Sequence, residues 1–182
     1  DIRLRKTLVD SLYSNGLSLV IGAVAASGVC LAGALPAGDP LLIAAAVCVA
    51  GTALVRTLLV FAIRQLPRSN TRTLELLFEA GAFAFAGSLS AAASIAVWQS
   101  APYEAQMLLV AVAVSYATAI AARNAGSPFI ALGQLLTVLV PLSIALVLSG
   151  APLVRVLGFA TILHIPSVIS ITMRVNRSLR TS

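Results

Sequence analysis

Charge is scarce in this chain: 10% of its 182 residues are Asp, Glu, Lys or Arg, against 59% that are hydrophobic. A soluble globule carries about a quarter of its residues charged, so that class is excluded. Histidine occurs once, and cysteine twice, at Cys30 and Cys48 within apolar runs. So few ligands cannot build a metal centre. The cysteines read as small buried hydrophobes, and neither a disulfide framework nor a metal is expected. The six acidic residues form no pair facing an aqueous cleft, and there is no phosphate-cradling glycine loop and no Ser/His/Asp set with an acid near His164. No catalytic site and no cofactor are expected in this chain. Aromatics make up 5% of residues and do not interleave with the basic ones, which sit at the ends of apolar runs, so the net charge of +6 does not imply nucleic acid.

Present instead are six apolar runs: Leu12 to Leu35, Leu41 to Ile63, Leu74 to Trp98, Ala105 to Ala122, Phe129 to Leu148 and Leu153 to Met173. Each is long enough, at about 1.5 Å per residue, to cross a hydrocarbon layer of about 30 Å. The breaks hold turn residues, as in Pro36-Ala-Gly-Asp-Pro40 and Ser149-Gly-Ala-Pro152. Barrel strands are about half as long and alternate in polarity, so the expected class is all-α, a polytopic membrane bundle of six transmembrane helices. The first run follows Arg3-Leu-Arg-Lys6 as a signal peptide would, but it is too long for one and reads as an uncleaved span.

Ten of the twelve basic residues fall on one side of this six-span scheme. By the positive-inside rule both termini are expected in the cytoplasm. Ile171, Val175 and Leu179 recur every four residues among Arg174, Arg177 and Arg180, so the last helix is expected to continue past the bilayer. The expected division is a transmembrane domain over residues 1–173, then a cytoplasmic helical linker over 174–182 leading to a missing output domain. A weak internal similarity aligns Asp10 to Gly16 and Gly22 with Glu75 to Gly81 and Gly87. The small residues of the first and third spans point to central packing helices or to helices of a dimer seam.

Charges inside the hydrocarbon need a partner or a wet cavity. Arg56 and Glu79 lie at similar depths on adjacent antiparallel spans, and Glu75, four residues from Glu79, shares its face. Arg56, Arg64, Glu75 and Glu79 are therefore expected as a ladder of intramembrane ion pairs, either fixing register or forming a switch or ion site. Counting inward from the opposite ends, Tyr116, Thr137 and His164 share one depth near the midplane, with Gln134 a turn away on the helix of Thr137. Two outcomes are open for these four: plain interhelical hydrogen bonds, or a pocket for a small hydrophobic ligand. Axial haem binding by His164 would need a second copy of the chain.

The opening Ile2-Arg-Leu-Arg-Lys-Thr-Leu-Val-Asp-Ser-Leu-Tyr13 and the exit Met173-Arg-Val-Asn-Arg-Ser-Leu-Arg180 resemble the six-helix membrane sensor regions that precede GGDEF, and often GGDEF-EAL, domains in proteobacterial cyclic-di-GMP enzymes. The chain has neither Gly-Gly-Asp-Glu-Phe nor Glu-Ala-Leu, so the resemblance implies diguanylate cyclase or phosphodiesterase activity only for a parent protein. It implies a sensory and anchoring domain, homodimeric and in contact with membrane lipid, whose last helix moves cytoplasmic output domains. The alternative from another class is a small dimeric transporter or half-transporter.

Overall fold

The computed structural model describes residues 16–65, 71–123 and 128–181, apart from the side chains of a few residues at helix ends, Arg64 and Glu75 among them. The basic opening from Ile2 to Tyr13 lies outside the described residues, as do the turns at 66–70 and 124–127. The described residues form six α-helices and no strand: α1 Gly16–Ala37, α2 Pro40–Gln65, α3 Thr71–Trp98, α4 Tyr103–Arg123, α5 Pro128–Leu148 and α6 Pro152–Thr181. All six are long and apolar enough to cross a membrane. Backbone polar groups that leave water must bond within their own segment, which is why apolar runs of this length become helices.

The turns are built from the residues that punctuate the runs. Gly38 ends α1 in the left-handed region (φ 68°). Its N–H donates to the carbonyl of Leu35 at 3.3 Å. Asp39 then caps α2: its Oδ1 accepts from the N–H of Leu42 at 2.8 Å, and Pro40 fills the first helical position, where no donor is needed. At the end of α3 the N–H of Ala101 donates to the Ala96 carbonyl (3.0 Å) and that of Ser100 to Val97 (3.2 Å), a Schellman turn. Its left-handed position is held by Ser100 (φ 50°) where glycine is usual. Gln106 closes this turn from α4, its Nε2 donating to the Ala101 carbonyl at 2.6 Å.

Packing places α3, α4 and α5 at the centre. Helix α4 touches α1, α3, α5 and α6, and α3 touches α2, α4 and α5. Helices α1 to α4 close into a four-membered ring, while α6 lies at the opposite edge, mainly against α5 and more lightly against α4. Central packing thus holds for α3, whereas α1 sits at the periphery of the chain. The aligned glycines also differ in use: a Cβ on Gly22 would meet open space, whereas one on Gly87 would lie 3.9 Å from Thr137 Cγ2.

The core is a lattice of alanine, leucine and valine, with Leu89, Leu135 and Leu139 fully buried. Small residues set how near the helices come. A Cβ on Gly33 would meet Leu109 Cδ1 at 2.6 Å, so α1 and α4 lie close there. One on Gly158 would meet the Val147 backbone nitrogen at 2.8 Å, so α6 lies directly on α5. Ser90 ties α3 to α5, its Oγ donating to the Val138 carbonyl at 2.9 Å.

Candidate functional site

Arg56 enters the bundle about 24 Å along α2 from Pro40, well inside the apolar window that runs from Pro40 to Ala62. It is buried, with 5% of its surface exposed. The stem lies on α3 over Gly81, where an added Cβ would stand 3.6 Å from the arginine Cγ. The guanidinium carbon sits 5.6 Å from the ring centroid of Phe78 and 5.9 Å from that of Phe85. Nη1 donates to Tyr116 Oη at 3.1 Å across the ring of helices. Tyr116 in turn meets Phe85 edge to face, with centroids 5.0 Å apart. Nε and Nη2 have no hydrogen-bond partner among the described residues.

The expected ion pair does not form: no hydrogen bond or salt bridge joins Arg56 to Glu79 among the described residues. Helical geometry accounts for this. Residues two apart point about 200° away from each other, so once the arginine stem occupies the Gly81 face, Glu79 is turned aside. Arg64 and Glu75 have side chains outside those described, and the rest of the ladder lies there with them.

Magnitudes explain how α2 tolerates the charge. Insertion of arginine at mid-helix costs about 2.5 to 3.5 kcal/mol. A desolvated cation–π contact contributes about 2 kcal/mol and a hydrogen bond to a charged group about 1.5 to 3 kcal/mol. Two rings and one phenol therefore offset the insertion without an acidic partner. Two nitrogens, Nε and Nη2, remain without a partner among the described residues, and each buried donor without an acceptor costs about 1 to 3 kcal/mol.

Beside Arg56 is a cavity of about 240 Å³ inside the ring of α1 to α4. Arg56, Phe85 and Tyr116 line it together with Gly22, Ala26 and Ala119. Its rim residues Gly22, Ala25, Ser115 and Ala119 are exposed, so it is a cleft that reaches the surface between α1 and α4. Gly33 pins the same two helices together about 16 Å further along α1. They part toward Gly22, and the cleft occupies the opening.

The four residues expected to share a midplane pocket are distributed otherwise. Tyr116 faces Arg56 and the cleft. His164 is half-buried, with Nε2 3.2 Å from Thr118 Oγ1, and Thr118 is two residues from Tyr116, on the opposite side of α4. Thr137 donates back to the Gly133 carbonyl at 2.8 Å. Gln134 is fully buried, and neither its Oε1 nor its Nε2 has a partner among the described residues. The four are therefore not brought into one site.

Two roles escaped the reading of residues alone. Arg155, the basic residue isolated from the others, donates through Nε and Nη2 to the Ser149 carbonyl at 3.3 and 3.0 Å, closing the carboxyl end of α5. A cation there also meets the negative end of the helix dipole. The second is the Arg56–Tyr116 bond. Its only sequence signal was the intramembrane arginine, because its partner stands 60 residues away. Among the described residues no group of three His, Cys, Asp or Glu side chains comes together as a metal site. Comparison with known families, curated proteins and solved structures finds no match to this chain, and so nothing there links it to the sensor regions that its two ends resemble.

Proposed function

We propose that this chain is the membrane-embedded sensory and anchoring domain of a bacterial signalling protein, with both termini in the cytoplasm of an inner-membrane homodimer. The observation that carries the reading is α6. It runs without a break from Pro152 to Thr181, 30 residues or about 45 Å, half again the thickness of the hydrocarbon. Its edge position leaves it held on one side by α5 and α4, so it can shift as a unit while the ring of α1 to α4 stays in place. Its basic end, with Arg174 and Arg177, would leave the bilayer on the arginine-rich side. The resemblance of the two chain ends to sensor regions names the output: a GGDEF domain, an EAL domain, or both. A stimulus acts by binding one arrangement of the bundle more tightly than another.

The test is helical phase. The whole chain is fused after Ser182 to a GGDEF catalytic domain, with one to seven residues inserted at the junction, and cyclic-di-GMP is measured in cells. Each insertion turns the output by about 100°, so a transmitting helix gives an output that rises and falls with insertion number. Output indifferent to phase would reduce the domain to an anchor. The cleft beside Arg56 favours a second reading, a dimeric transporter. Solute flux through proteoliposomes carrying the chain, with no output domain attached, would put that reading first.

A further inference from the structure

We propose that α6 is a lever: it turns on its contact with α5 at Gly158, a second cleft beside α5 takes up the motion, and the His164–Thr118 hydrogen bond sets its resting position. The inference rests on the reading of α6 as the transmitting helix and says how that helix moves.

The pivot is the place where two backbones touch. A Cβ on Gly158 would lie 2.8 Å from the Val147 nitrogen and 3.0 Å from the Leu146 carbonyl carbon, so no side chain separates α6 from α5 there. Arg155 holds the same end through its bonds to the Ser149 carbonyl at 3.0 and 3.3 Å. Inward from this contact the helices part. A cleft of about 370 Å³ is lined by Val147, Ile144 and Val140 of α5 and by Ile162 and Ile165 of α6. Its lining is aliphatic apart from Ser143, whose Oγ has no partner to lose among the described residues. Closing this space therefore costs no polar contact within it.

His164 faces away from the cleft. Residues two apart on a helix point to nearly opposite sides, so a step that carries Ile162 into the cleft draws His164 away from Thr118 on α4. The threonines of α6 do not resist that step. Thr161 and Thr172 donate to the carbonyls of Leu157 and Val168 in their own helix, both at 2.8 Å. Helix α6 is also the least held of the six, with 22% of its apolar window buried against 28% or more in every other span.

Lengths along α6 set the gain. From Gly158 it is about 10 Å to Ile165 and about 24 Å to Arg174. A sideways step of about 2 Å at Ile165, ordinary for a packed helix, becomes about 5 Å at Arg174. The same step takes the 3.2 Å His164 contact out of hydrogen-bond range.

The test is distance within one chain. Nitroxide pairs are placed on a Cys30→Ala, Cys48→Ala background at the exposed positions Ala62 and Arg174, and at Trp98 and Leu153. Double electron–electron resonance reads them in phosphatidylcholine nanodiscs, with labelled chains diluted by unlabelled ones. Thr118→Val should raise the share of a displaced Ala62–Arg174 distance about threefold, the worth of an average interhelical side-chain bond. Ile165→Phe should abolish that distance by filling the cleft; if it does not fold by circular dichroism, Ile144→Phe fills the cleft from α5. The Trp98–Leu153 pair, on the short arm, should shift by no more than about a third as much. Equal shifts in both pairs, or an Ala62–Arg174 distance indifferent to the variants, would overturn the lever. So would a displaced distance that survives the filled cleft, since the motion would then lie at Pro166, past Ile165. A lever seen by distance beside a fused output indifferent to helical phase would remove transmission and leave the lever standing.

Discussion

His164 Nε2 stands 3.2 Å from Thr118 Oγ1, a hydrogen bond that joins α6 to α4. A side-chain bond between transmembrane helices contributes about 0.6 kcal/mol on average, so Thr118→Val should lower stability by no more than about 1 kcal/mol in a detergent unfolding titration. If α6 transmits a signal, the same substitution should alter output from a fused GGDEF domain by far more than that loss of stability explains. A stability loss above 2 kcal/mol would mean that the contact is a structural clamp instead.

Gly158 and Gly28 should respond in opposite ways to alanine. At Gly158 the new methyl would meet backbone atoms of Val147 and Leu146 at 2.8 and 3.0 Å, and backbone cannot swing aside. Overpacking of this kind costs about 1 to 3 kcal/mol, so Gly158→Ala should lower the thermal midpoint and loosen α6 from α5. At Gly28 nothing lies within 4 Å. Gly28→Ala should be neutral or stabilising by up to about 1 kcal/mol through helix propensity. Equal effects at the two sites would contradict the close α5–α6 contact.

The turn between α3 and α4 carries a correctable strain. Ser100 adopts φ 50° at the left-handed position of a Schellman turn, a conformation that favours glycine. Ser100→Gly should raise stability by up to about 1 kcal/mol. Arg155→Ala, which removes two hydrogen bonds from the end of α5 at an exposed position, should lower it by about 0.3 to 1 kcal/mol. Both are read as shifts in thermal midpoint in one detergent, and a destabilised Ser100→Gly would sink the account of this turn.

What was legible in the sequence was axial. Apolar runs and turn residues located all six helices, and the break at Pro36 to Pro40 marked the first turn, though not that Asp39 would cap the next helix. Depth along a helix can be counted from its ends, which is why Tyr116 and His164 were placed at one level. Azimuth cannot be counted that way when every face is apolar, since lipid and protein neighbours then demand the same residues. Tyr116 therefore turned out to face α2, while His164 reached the opposite side of α4 at Thr118. Arg56 shows the same gap: its match in depth to Glu79 was sound, but Gly81 offered the flat surface and took the arginine stem.

Gln134 gives a test of whether a buried polar group in this bundle has a use. Its amide is fully buried on α5, next to Gly133, where an added Cβ would come 2.6 Å from Phe83 Cζ. Neither amide atom has a partner among the described residues. An unmatched buried amide costs about 1 to 3 kcal/mol, and methionine has nearly the same length and flexibility without the polar atoms. Gln134→Met should therefore raise stability by about 1 to 2 kcal/mol in a detergent unfolding titration. A fall in stability would mean that the amide engages a partner, from lipid, water or a second copy of the chain, and would return Gln134 to the set of candidate binding residues.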